Sequence, residues 1–111
     1  MTQKALIVWG GWEGHTPWEC AELFAPWLKE EGYEVNVSDS LESFGDKDLL
    51  ESMDLVIPMW TDGVLTAEQE ATLCDAIAAG TGIAGFHGGM CDAFRRNTNY
   101  QWMTGGQWVA H

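Results

Sequence analysis

The strongest constraint on the fold is a pair of continuous apolar runs, Ala5 to Trp9 (ALIVW) and Asp54 to Met59 (DLVIPM), each followed by a helix-forming stretch. A strand with one solvated face alternates apolar and polar residues, whereas an unbroken run suits a strand buried on both faces. Such strands occur in parallel sheets covered by helices on each side. After the first run come the glycine-rich GGWEGHT and then a helix start. Thr16 is expected to cap that helix, Pro17 to take its first position, and Glu19 to complete a capping box. Cys20, Phe24, Trp27 and Leu28 recur at helical spacing and are expected to face the sheet. Pro26 is expected to kink this helix, and Gly32 to stop it.

Further along, Tyr33 to Val37 alternates and reads as a half-buried strand near an edge, and Asp46 to Ser52 as a short helix. Pro58 is expected at the end of the strand that begins at Asp54, where a missing N–H matters least. Thr66 and Gln69 form a second capping box for a helix ending near Ala79, before Gly80. Gly82 to Phe86 is expected to be a fourth strand. Met90 towards Arg95 reads as a short helix, and Gln107 to Ala110 as extended chain. The order βαβαβαβ implies an α/β fold: one parallel sheet, right-handed crossovers and helices on both faces. Ligands in such sheets bind beyond the carboxyl ends of the strands, where Gly10 to Thr16, Trp60 to Gly63 and His87 to Cys91 fall.

Charge narrows the partners. With 17 acidic residues against 5 basic ones, the net charge of −12 disfavours nucleic acid and anionic membrane surfaces. No apolar run approaches the roughly 20 residues of a membrane helix, and the first ten residues do not form a secretory signal. Cys20, Cys74 and Cys91 are odd in number and widely spaced, which fits a reducing cytoplasm better than a disulfide framework.

The chemistry concentrates in three histidines. His15 follows the first strand, His87 the fourth, and His111 a strand-like run at residues 107–110. In GFHGG, His87 is the centre of a glycine-flanked strand-to-helix turn, the nucleophile-elbow pattern. An imidazole there can act as a general acid or base, or as a metal ligand; it can equally hydrogen-bond loop backbone. His15, His87 and His111 together would suit a divalent metal such as Zn²⁺ with an open position for water. Glu13 or Asp62 could add an oxygen ligand or a general base. Trp12 and Trp60 lie in the same loops and offer flat faces to a sugar ring, while core packing is the default for the other tryptophans. Trp27 is expected in the core. Cys91 reads as a buried structural thiol or, at a helix start, as an activated one. Arg95 and Arg96 read as a solvated helix end or as anion ligands. Glu13 beside Gly10 and Gly11, with no Walker pattern, disfavours nucleotide binding.

These motifs together resemble the ThuA-like family, a branch of the class I glutamine amidotransferase-like, flavodoxin-like fold. The resemblance rests on GGWEGHTP, on Pro58 through TDGVLTAEQEATL, on GTGIAGFHGGMCDAF and on YQWMTGGQWVAH. It spans residues 1–111 as one ThuA-like domain, apparently shortened at its C-terminus, since ThuA-like domains usually run to roughly twice this length. The resemblance implies a role in trehalose-type sugar utilisation. His87, His15 and Glu13 would be the reacting groups, and Trp12, Trp60, Asp62 and His111 would contact a carbohydrate. The amidotransferase cysteine position carries His87, so glutaminase chemistry is not expected. A non-catalytic binding or assembly module is the alternative. The shortened domain suggests a sheet completed by another copy, hence a homo-oligomer.

Overall fold

A computed structural model describes residues 2–110. Strand β1 (Gln3–Gly11) runs through the middle of the molecule. Along it Ala5 and Ile7 face one side, Leu6 and Val8 the other, and all four are fully buried. The sheet order is β2-β1-β3-β4, with β2 at Tyr33–Ser38, β3 at Leu55–Thr61 and β4 at Gly82–Ile83, and every pairing is parallel. This is the flavodoxin-like α/β arrangement, with its switch point between β1 and β3.

Two cores follow from the alternation in β1. Ala5, Ile7, Ile57 and Met59 pack under helix α1 (Pro17–Glu30), which contributes Ala21 and Leu28. On the opposite face Leu6, Val8 and Val56 pack with Leu50 from α2 (Lys47–Glu51) and Leu73 from α3 (Ala67–Ala78). Phe44, Phe94 and Tyr100 complete that core, the last from α5 (Thr98–Thr104). Phe94 meets both other rings edge-on, a favoured aromatic geometry.

Several local expectations hold. Pro17 opens α1. The Thr66 hydroxyl accepts from Gln69 N–H while the Gln69 side chain accepts from Thr66 N–H, which closes the second capping box.

Others are corrected. Thr16 does not cap α1 through its side chain: it is left-handed, with φ 48° and ψ 56°. The chain arrives from a 3₁₀ turn at Glu13–His15, whose Glu13 carbonyl takes the Thr16 N–H. Trp27 is 52% exposed. The sheet-facing stripe is Cys20, Ala21, Phe24, Ala25 and Leu28, and Trp27 meets Phe24 edge-on at its margin.

Pro58 sits in mid-strand opposite Val8. The carbonyls of Asp54 and Val56 accept from Gly82 and Ala84, so even-numbered residues of β3 face β4. Pro58 is the next in that series and has no N–H to give. The ladder therefore ends at Val56–Ile83, and β4 is shorter than the expected Gly82–Phe86. The freed chain turns at once into α4 (His87–Cys91), which begins three residues before the expected Met90. Helix α5 has no counterpart in the sequence reading, and residues 107–110 form no strand.

Candidate active site

The loops after β1 and β3 part at the switch point, one to α1 and the other to α3 on the opposite face. Close approach of these loops requires a glycine: a side chain at Gly11 (φ 77°) would run into the Thr61 carbonyl. Trp12 then donates its N–H to that carbonyl at 2.9 Å. The 3₁₀ turn that follows projects His15 towards the ends of β3 and α4.

His15 and His87 come together, their ring centroids 5.0 Å apart and their planes 70° from parallel. His15 Nδ1 lies 2.9 Å from the hydroxyl of Thr61, a residue 5% exposed. That bond fixes the ring and leaves Nε2 as the nitrogen for proton exchange. Gly88 makes the room: a Cβ there would lie 2.5 Å from His15 Cε1. Trp12 meets His15 edge-on from the other side, with centroids at 4.7 Å.

His87 itself holds φ 52°, one of three non-glycine residues at positive φ among the described residues; Thr16 and Asp62 are the others. Asp62 directly follows β3, and Thr16 and His87 lie where the loops after β1 and β4 enter helices. Left-handed residues other than glycine cost about 1–2 kcal/mol, and such strain gathers at functional sites. The elbow pattern in GFHGG is thus realised in the backbone. Its crowding is relieved at Gly85, beside Met90, and at Gly88 rather than at Gly89, where a Cβ would make ordinary contact.

A cleft of about 270 Å³ opens in front of the two imidazoles, with Pro17, Cys20, Met59 and Phe86 among its walls. On the far side of Trp12 lies a second cleft of about 210 Å³, lined by Trp12, Thr61, Asp62, Asp92 and Arg95. Thr61 belongs to both.

The remaining candidates are placed as follows. Glu13 is exposed in the 3₁₀ turn and lines neither cleft. Trp60 does not face the histidines; its indole fills space left by Gly10 and Gly63 and packs against the larger core. Trp12 is the exposed tryptophan of the pair, at 56%. Asp62 faces the second cleft. Cys91 is exposed at the end of α4, not buried. Arg95 is not a merely solvated helix end, because it forms a two-pronged ion pair with buried Asp92. His111 lies outside the described residues. Two of the three imidazoles expected to hold a metal are therefore adjacent, and among the described residues no group of three potential ligands converges.

Sequence reading missed Thr61, Cys20 and Gly88 as site residues. Thr61 carried a weak signal as the final buried position of β3. Cys20 was assigned to the sheet-facing stripe of α1, which ends at the cleft. Gly88 was hidden because the motif directs attention to the glycines at either end.

The parallel sheet, covered by helices on both faces, places the chain in the flavodoxin-like α/β class. The family described as ThuA, trehalose utilisation, matches residues 4–111, and the chain belongs to it. Among solved structures it is similar to a ThuA-like protein from Bacteroides uniformis ATCC 8492, with 19% identity and a TM-score of 0.70. That similarity covers 93% of this chain and 42% of the Bacteroides chain. No curated protein matches the sequence. Among the described residues no helix is long and apolar enough to cross a membrane.

Proposed function

We propose that this chain carries the histidine-bearing part of a carbohydrate site and acts on a sugar of the trehalose type. The observation that supports this most is the contact of His87 and His15 in a cleft at the switch point, with His15 held by Thr61. His87 is the acid or base that exchanges a proton with a sugar hydroxyl. His15 relays or shares that proton, and Trp12 flanks the ring. In this reading the protein is cytoplasmic, in keeping with its free Cys20, Cys74 and Cys91.

The test follows trehalose by NMR in the presence of the wild type and of His87→Asn. Asparagine tolerates the left-handed turn and removes the imidazole. Conversion should fall by about 10²–10⁴-fold, with the sugar still bound; equal conversion by the variant would overturn the role of His87.

The alternative is a non-catalytic binding or assembly module, and the edge of the sheet favours it. Strand β4 pairs over only two residues, and Phe86 and Trp27 are exposed beside it, packed in series through Phe24. A second copy adding to this edge would form a homo-oligomer. Sugar binding without conversion by the wild type, together with a dimer mass in solution, would select that reading.

A further inference from the structure

The two clefts differ in chemistry. The one before the histidines is walled largely by Pro17, Cys20, Met59 and Phe86. The one behind Trp12 is lined by an indole, a hydroxyl, two carboxylates and a guanidinium. Within it, Arg95 donates Nε–H and one Nη2–H to the two oxygens of Asp92. A guanidinium has five N–H groups, so three remain beyond this pair. The Trp108 ring lies under the Arg95 guanidinium carbon, its centroid 6.0 Å away.

Asp92 is 4% exposed and its carboxylate is engaged by Arg95. Asp62 is exposed. The hydrogen bond from Arg95 to Asp92 keeps the guanidinium firmly protonated, and the nearby charge of Asp62 adds to that effect. Asp62 is held left-handed at φ 64°, with its N–H donated to the Asp92 carbonyl at 3.2 Å. Gly63 N–H reaches the Ala93 carbonyl at 2.7 Å, so the loop after β3 is tied to the chain leaving α4 by two backbone bonds. Strain held in place by such ties is what a preorganised site requires.

We infer that this second cleft is a sugar subsite, which receives the outer ring of a substrate whose reacting ring lies before His87 and His15. The inference rests on the carbohydrate reading above and deepens it by setting the length of the ligand. A pyranose has flat C–H faces and a rim of hydroxyls. Trp12 meets the face, Asp62 accepts from neighbouring hydroxyls, and the remaining Arg95 N–H groups donate to ring or hydroxyl oxygens. Two carboxylates against one guanidinium leave the cleft net negative, which rejects anionic ligands and admits a neutral polyol. Because Thr61 lines both clefts and Trp12 touches His15, the two positions are adjacent.

The experiment is calorimetric titration of the full chain with trehalose and with glucose, using the wild type, Asp62→Gly and His87→Asn. Glycine removes the carboxylate and accepts the positive φ, so the fold is retained; circular dichroism checks this. Trehalose should bind the wild type about tenfold more tightly than glucose. Asp62→Gly should lose about tenfold for trehalose and leave glucose within twofold, and Asp62→Asn should recover part of the loss. Trehalose binding indifferent to Asp62→Gly sinks the subsite and leaves the histidine reading standing. Loss of trehalose binding in Asp62→Gly, with trehalose converted equally by the wild type and His87→Asn, keeps the polyol subsite and overturns the histidine cleft as its neighbour. If the wild type binds neither sugar, both fall.

Discussion

Gly88→Ala separates the stability of the fold from the order of the site. Gly88 is fully buried in α4, and alanine in a helix is favoured over glycine by about 1 kcal/mol. Against that gain, the added methyl would lie 2.5 Å from His15 Cε1 and 3.0 Å from Nδ1. Carbon pairs settle at about 3.5–4.0 Å, so the imidazole must withdraw by roughly 1 Å. The Thr61 hydroxyl would be 3.4 Å from the new Cβ, an ordinary contact, and need not move. A bond of 2.9 Å between His15 and Thr61 does not survive such a withdrawal. Its net worth is about 1 kcal/mol, which offsets the helix gain. The cleft gives the ring somewhere to go. Overall stability should therefore change by less than about 1 kcal/mol, or about 4–8 °C in Tm for a domain of this size. The assay is thermal melting paired with long-range ¹H–¹⁵N NMR of the imidazoles. In the wild type the His15 nitrogens should report one tautomer, set by Thr61. In Gly88→Ala they should show a mixture, and the His87 signals should shift with them. Unchanged His15 signals in a folded variant would refute the claim that space at Gly88 seats the ring. A variant that fails to fold would refute the premise that the ring can swing into the cleft.

The strain at His87 makes a prediction of its own. With φ 52°, His87→Gly should be more stable than His87→Ala by about 1 kcal/mol, because both lose the imidazole and only glycine relaxes the backbone; equal denaturant midpoints would mean that the turn stores no strain. Tyr100 governs an alkaline limit. Burial holds its phenol protonated well above the ordinary range, and its hydroxyl donates to the Met90 carbonyl at 2.8 Å. The folded pKa is raised, so the unfolded chain releases the proton first, and stability falls once the pH passes the ordinary tyrosine value of about 10. The slope approaches about 1.4 kcal/mol per pH unit for one proton. Urea titrations at pH 9, 10 and 11 should show that decline in the wild type and a shallower one in Tyr100→Phe; parallel declines would remove Tyr100 as the cause.

The layered α/β fold was legible in the sequence because it rests on local periodicity. ALIVW has no polar position at which to meet water, so β1 must be covered on both faces, and the capped helix after Thr66 is one such cover. The turn at His87 was legible for a similar reason, since its glycines mark a place where the chain bends sharply. What lay beyond the sequence depended on which strands became neighbours. Placing β1 beside β3 set His15 against Thr61, 46 positions away, and brought His87 up to both. The length of β4 was settled by the direction in which Pro58 lacks an N–H, which exists only once the sheet has a partner on that side. Trp27 and Trp60 exchanged the roles that hydrophobicity alone assigns them, one left at the helix margin and the other folded beneath glycines. Arg95 and Asp92 are three residues apart in the chain, yet their place behind Trp12 comes from the loop after β3 docking on the end of α4. Periodicity and turn chemistry are properties of neighbours along the chain, and they determined the elements. Contacts between distant residues depend on the paths of the loops at the switch point, and only the tertiary structure decided those.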